Sequence, residues 1–238
     1  AEPAPNTLDA PPAVAEDAKA TIGTEYADIL AEGVTSWQIV EALNASDLFT
    51  GEVAEVPAEG TLAPDGYEIS PGMDRAEFLA RMEAAQAERL AAAWANRAED
   101  APVETPEEAL ILASIIEKET GVAEERPLVA SVFANRLRQG IKLQTDPTVI
   151  YGLGDSFDGN LRRRDLEADN PYNTYRRAGL TPTPIAMPGR DAIHAALHPA
   201  DGDALYFVAK GDGSHQFSAT LGEHNRAVRR YQLKGGNR

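Results

Sequence analysis

Cysteine is absent from the 238 residues, so no disulfide and no thiolate metal site holds this chain together, and no redox compartment can be read from it. No apolar run approaches the roughly 20 residues that a membrane span requires. The opening AEPAPN has neither the charged region nor the apolar stretch of a secretion signal, which puts any anchor or export signal outside the sequence or among segments already removed. Positive charge is scarce: 22 Lys and Arg stand against 38 Asp and Glu, a net charge of −16. The deficit is local, because residues 1 to 104 hold 21 acidic and 5 basic side chains while residues 105 to 238 hold 17 of each. An acidic first half speaks against nucleic-acid binding and against docking on anionic lipid. GxSxG, a Walker loop and GxGxxG are all missing, so serine-hydrolase, nucleotide and dinucleotide chemistry have no support.

What is present is globular. With 43% hydrophobic and 25% charged residues the chain can bury a sizeable core, and its patterning reads as α+β. Residues 1–30, rich in Ala and Pro, read as a flexible lead-in. Residues 31–70 read as a small acidic α+β unit, with a helix capped at Thr35 or Ser36 and carrying Trp37, Val40 and Leu43 on one side, followed by short extended pieces ending in YEI. Residues 71–104 contain a long connecting helix from about Asp74 to Arg97. Residues 105–238 form a larger, helix-rich domain that closes with a β-hairpin, ALYFVA and HQFSA around GDGS, and a last helix capped by Thr220 and Glu223.

The stretch TPEEALILASIIEKETG, Thr105 to Gly121, organises that larger domain. Thr105 and Glu108 make a capping box with Pro106 at the first helical position, and Gly121 is the expected stop. At about 100° per residue, Ile111, Leu112, Ile115 and Ile116 share a face, and Glu119 projects from near its middle while Glu117 points almost the opposite way. Burial and the negative end of the helix both favour the neutral acid at Glu119. A carboxyl protonated near neutral pH is a general acid for a leaving oxygen. The other reading keeps Glu119 as a structural partner of an Arg, a Lys or a backbone amide that locks the helix end. A second helix, from about Pro127 to Gln139, brings Asn135 or Arg136 toward the same region.

Residues 141 to 190 start with an extended alternation, IKLQTDPTVIYGLG, and then lose periodicity. A long irregular segment with Tyr and Asn is either a binding loop or a loop packed by its own side chains. His194 and His198 sit at a zinc-compatible spacing without a third clustered ligand, so no metal site is read there; His215 is a looser site candidate, and the Arg162 to Arg164 run reads as a solvated loop. A conventional glycosidase needs two carboxyl groups, and Asp146 and Asp165 are the available seconds. One acid/base suffices if the substrate supplies its own nucleophile.

LASIIEKETGVAEERPLVASVFANRL, LQTDPTVIYG, PYNTYRRAGLTPTPIAMPG and ALYFVAKGDGSHQFSATLGEHN, in that order, closely resemble the endolytic murein transglycosylase family, also called YceG-like. The resemblance covers about residues 106 to 233, and more loosely EGVTSWQIVEAL and APDGYEI. It implies a lytic transglycosylase that cuts the MurNAc–GlcNAc β-1,4 bond inside peptidoglycan strands and leaves 1,6-anhydroMurNAc ends, without a cofactor. It implies that Glu119, the second Glu of EKE, is the catalytic acid/base and that Gln144, Thr145, Asp146, Asn173 and Tyr175 line the cleft. It also implies a LysM-like portion, incomplete here, peptidoglycan synthases as partners, and an N-terminal tether to the cytoplasmic membrane outside this sequence. Gly66, Thr181 and Met187 depart from the family pattern, and Met187 is expected to alter the loop near the cleft. A two-carboxylate muramidase and a non-catalytic glycan-binding scaffold are the alternatives.

Overall fold

Thr105 starts the central helix as expected: its hydroxyl accepts the Glu108 N–H at 3.1 Å, with Pro106 where no N–H is needed. In the computed structural model, which describes residues 27–29 and 31–232, the elements run β1 (Ala27–Ile29), α1 (Ser36–Ala45), β2 (Phe49–Thr50), β3 (Gly66–Glu68), β4 (Met73–Asp74), α2 (Arg75–Ala95), α3 (Pro106–Glu119), α4 (Arg126–Arg138), α5 (Asp146–Leu153), α6 (Arg163–Glu167), α7 (Arg190–Leu197), β5 (Tyr206–Ala209), β6 (His215–Ser218) and α8 (Leu221–Tyr231). The chain is α+β with three two-stranded sheets among the described residues: β1 antiparallel to β3, β2 parallel to β4, and the β5–β6 hairpin with Phe207 opposite Phe217. Most of the expected lead-in, residues 1–26 and 30, lies outside the described residues, but its end forms β1.

Two apolar clusters hold the fold. One gathers Ile39, Val40, Leu43, Phe49, Tyr67 and Ile69 with Phe78, Leu79 and Met82 from the first turns of α2. The other surrounds α3 and takes Leu90, Ala93 and Trp94 from the last turns of α2 along its edge. The long helix therefore belongs to both cores. Around α3 pack α2, α4, α5 and α7, and Leu112, Ala113, Ile115 and Ile116 are fully buried.

Arg75 joins α1 to α2. Helix α1 has no basic residue in its last turn, and the buried Arg75 supplies the missing donors: Nε to Leu43 O at 2.7 Å, Nη2 to Ser46 O at 2.7 Å and Nη1 to Gly51 O at 2.6 Å. Arg75→Ala leaves these carbonyls without a donor and a void beneath them. It is expected to cost about 2–4 kcal/mol in urea unfolding, with Arg75→Lys recovering only part of the loss.

Three expectations need correction. Helix α3 stops at Glu119, not Gly121: Thr120 turns extended at φ −145°, and Gly121 is absent from the left-handed glycines. The segment 141 to 190 neither starts as an extended strand nor stays irregular, because Asp146–Leu153 of the expected alternation is helix α5 and Arg162 opens α6; at eight and five residues, neither is long enough to print a clear period on the sequence. Met187 does not sit at the cleft. It is fully buried in the N-terminal cluster, and its backbone exchanges hydrogen bonds with Gly33 (2.9 Å) and Val34 (2.7 Å), stapling the two cores together.

Candidate active site

The EKE sequence at the end of α3 divides its labour. Glu117 accepts the Gly189 N–H at 2.9 Å, at the start of α7, and pairs with Arg126 at 3.4 Å. Lys118 donates to the Gly33 carbonyl at 2.9 Å. These neighbours lock the helix end, so the structural role that sequence left open for Glu119 falls to them. Glu119 has no ion-pair partner among the described residues.

Glu119 instead lines a small, partly enclosed pocket together with Arg136, Leu143, Gln144, Thr145, Asp146, Tyr175, Phe207 and His224. It is half-buried, enclosed by protein but reached through the pocket. Burial pushes its pKa up to about 7; the Thr145 hydroxyl pulls it down, the Asp146 charge pushes it up and Arg136 pulls it down. Thr145 donates its hydroxyl to Glu119 Oε1. A donor on Oε1 makes Oε2 the oxygen that carries the proton.

Beside Glu119 is a knot between two segments distant in sequence. Thr174 Oγ1 accepts the Thr145 N–H at 3.1 Å and meets the Thr148 hydroxyl at 2.8 Å; Gln144 N–H donates to Thr174 O at 3.2 Å. Gln144 is the one non-glycine residue with positive φ (50°) among the described residues, a strained conformation of the kind that collects at functional sites. The knot turns Asp146 inward, where Tyr175 Oη donates to its Oδ1 at 2.5 Å. Burial raises the Asp146 pKa and this hydrogen bond opposes the rise, while burial and the Asp146 charge drive Tyr175 far above its ordinary value. Tyr175 thus stays protonated and favours Asp146 as the anion, and that anion favours the proton on Glu119.

Of the residues expected in the cleft, Glu119, Gln144, Thr145, Asp146 and Tyr175 line one pocket, and Asn173 does not. Asn173 is fully buried; its amide donates to the carbonyls of Asp165, Leu166 and Ala168, and its Oδ1 accepts the Tyr175 N–H at 3.0 Å. It holds the loop that carries Tyr175. Asp165 also stays away from the pocket, accepting the Arg162 N–H at 2.8 Å at the start of α6, which leaves Asp146 as the second carboxylate. His215 grips Glu125 through its backbone N–H (2.9 Å) and Nδ1 (2.6 Å) and meets Phe207 edge-on, so it supports the pocket from behind. His194 and His198 stack on each other, with His198 Nε2 against Asn96 O. No group of metal-ligating side chains occurs among the described residues, and no helix among them is long and apolar enough to cross a membrane.

The sequence model of the YceG-like family matches residues 13–230, nearly the whole chain. The chain belongs to the YceG-like family. The match reaches far upstream of residue 106, through the entire N-terminal unit. Among relatives of this YceG-like chain, the endolytic murein transglycosylase of Bacillus subtilis is 39% identical over 186 residues, covering 78% of this chain and 51% of the relative. The Streptococcus pneumoniae protein of the same name is 31% identical over 176 residues, 71% of this chain and 31% of its own length. The chain thus spans about half of the first relative and about a third of the second. A crystal structure of a yceG-like protein from Listeria monocytogenes superposes with a TM-score of 0.67 at 30% identity, covering 86% of this chain and 76% of that one.

Sequence reasoning left Asn135 and Arg136 undecided and overlooked Leu143, Phe207 and His224 as pocket residues. Asn135 turns away to the carbonyls of Gly202 and Ala204; Arg136 faces in. His224 had a legible signal: it lies three and four residues before Ala227 and Val228 on α8, the face that must pack inward.

Proposed function

We propose that this chain is a lytic transglycosylase that cuts peptidoglycan glycan strands internally, at the MurNAc–GlcNAc β-1,4 bond, and leaves 1,6-anhydroMurNAc ends. The observation that carries the reading is Glu119, a carboxyl poised to hold its proton to about pH 7 on the wall of a pocket that also holds Asp146 and Tyr175. The names of the Bacillus and Streptococcus relatives support the substrate class. In this reading Glu119 Oε2 protonates the glycosidic oxygen. As carboxylate, the same group then takes the proton from the C6 hydroxyl of the MurNAc ring while that oxygen closes on C1, so the acid is regenerated and no water is consumed. Asp146, whose carboxylate form the Tyr175 hydrogen bond favours against its burial, stabilises the positive charge that develops on the ring. Gln144 and Thr145 position the sugar and the acid. No cofactor takes part.

The proposal extends to location and partners. The substrate lies on the envelope side of the bacterial cytoplasmic membrane, and we place the activity there, alongside peptidoglycan synthases, with a single anchor preceding this chain in the full-length protein. The unit at residues 31–70 is assigned as a LysM-like portion and residues 105–238 as the catalytic domain.

A second reading, a muramidase with Asp146 activating water, is favoured by the presence of both carboxyl groups in one pocket. Mass spectrometry of glycan strands digested by the purified chain separates the two: the lytic reaction yields products one water lighter than hydrolysis does. Products at the hydrolytic mass overturn the lyase; intact strands overturn both.

A further inference from the structure

Three elements bring two uncommitted nitrogens into one pocket. On α4, Arg136 is buried, with Nε donating to Leu205 O at 2.7 Å and Nη1 to Leu143 O at 2.7 Å and Lys142 O at 3.2 Å. Its Nη2 has no partner among the described residues. On α8, His224 lies flat against the Tyr206 ring of β5, centroids 5.1 Å apart and planes 25° from parallel. The Arg136 guanidinium rests over the same ring at 5.3 Å. Tyr206 therefore packs against both the imidazole and the guanidinium.

The imidazole has one nitrogen to offer. His224 Nδ1 is sealed and unpartnered, while Nε2 has no partner among the described residues and is not sealed, in a side chain that lines the pocket. Burial and the adjacent Arg136 charge lower the His224 pKa, so the ring stays neutral at neutral pH. A neutral imidazole can present Nε2 as an N–H donor beside the N–H groups of Arg136 Nη2. Two donors in one pocket, one of them permanently cationic, suit the oxygen of a neutral amide and repel an ammonium group.

Resting on the lytic reading above, we propose that Arg136 and His224 form a carbonyl-recognising subsite that takes the N-acetyl group of a sugar next to the scissile bond. The site makes the chain selective for N-acetylated over de-N-acetylated strands. The same donors could meet the lactyl carbonyl of a muramyl sugar, and the test distinguishes these sources.

The chain has four histidines, so the His224 ring signals in nitrogen-correlated NMR are assigned by their loss in His224→Gln. Titration of the intact chain with an N-acetylglucosamine oligomer, which has no lactyl group, should move the His224 signals to the Nε2–H tautomer, and the matching glucosamine oligomer should not. In parallel, kcat/KM on N-acetylated glycan strands should exceed that on de-N-acetylated strands by about 10- to 100-fold. His224→Ala should bring that ratio toward one, while His224→Gln, which keeps an N–H donor, should retain most of it. Arg136 is left intact because its other nitrogens hold backbone carbonyls.

His224 signals indifferent to both oligomers overturn the subsite, whatever the activity. Signals that respond only to muramyl sugars, acetylated or not, assign the donors to the lactyl group and overturn the N-acetyl reading. An unchanged acetylation ratio in His224→Ala, with strands still cut, overturns the subsite and leaves the Glu119 chemistry standing. A response to the acetylated oligomer without any strand cleavage upholds the subsite and overturns the lytic reading.

Discussion

Glu119→Gln is expected to lower strand cleavage by about 10³- to 10⁴-fold, because the proposed reaction makes a single group the acid of the first step and the base of the second. The amide keeps the shape and can still accept the Thr145 hydroxyl, so the fold should survive. Stability supplies an independent readout with a definite sign. The folded-state pKa of Glu119 is about 7 against an ordinary 4.5, so its contribution is fully present below pH 4.5 and is lost as pH rises through 7. At about 1.4 kcal/mol per unit of pKa, with allowance for its contact with pocket water, wild type should lose roughly 1–3 kcal/mol from this group between pH 5 and pH 8. Glu119→Gln should not share that loss, so at pH 8 it should unfold at higher urea concentration than wild type. A mutant that is inactive and also destabilised at pH 8 would mean that Glu119 holds the fold together rather than doing chemistry.

The same residue shows how far sequence reaches and where it stops. Glu119 could be picked out because a helix face is a local property: capping at Thr105 sets the phase, and 100° per residue carries it fourteen residues to the helix end. The helices started by Thr35, Asp74 and Thr220 were legible for the same reason. What surrounds Glu119 was not legible in that way. Thr145 and Thr174 are 29 residues apart and meet through hydroxyl and backbone groups that leave no periodic trace. Asn173 looked like a sugar ligand because an exposed amide and a buried one are the same letter; only the three carbonyls around it show which it is. Met187 was misplaced because a backbone pairing with Gly33 and Val34 across about 150 residues, not its own neighbours in the chain, decides where it points.

The two residues that flank the Glu119 carboxyl should move the pH profile of strand cleavage in opposite directions. In wild type, kcat/KM should be level near pH 6 and fall about tenfold per unit above pH 7, as Glu119 loses the proton that the proposed reaction has it donate. Asp146→Asn removes the anion that pushes the Glu119 pKa up, so the alkaline limb should shift to lower pH. Thr145→Val removes the hydroxyl that pulls it down, so the limb should shift to higher pH, with a rate loss of about 10- to 100-fold from poorer positioning of the acid. Tyr175→Phe acts one step further out. Without its donor the Asp146 pKa, already raised by burial, rises again, so the acid limb should move up. As Asp146 becomes neutral, Glu119 loses part of its push and the alkaline limb should move down, narrowing the profile from both sides. If these residues only packed the loop, their removal would scale the whole profile down without moving either limb. Opposite displacements for Thr145→Val and Asp146→Asn would therefore tie both side chains to the proton on Glu119 itself.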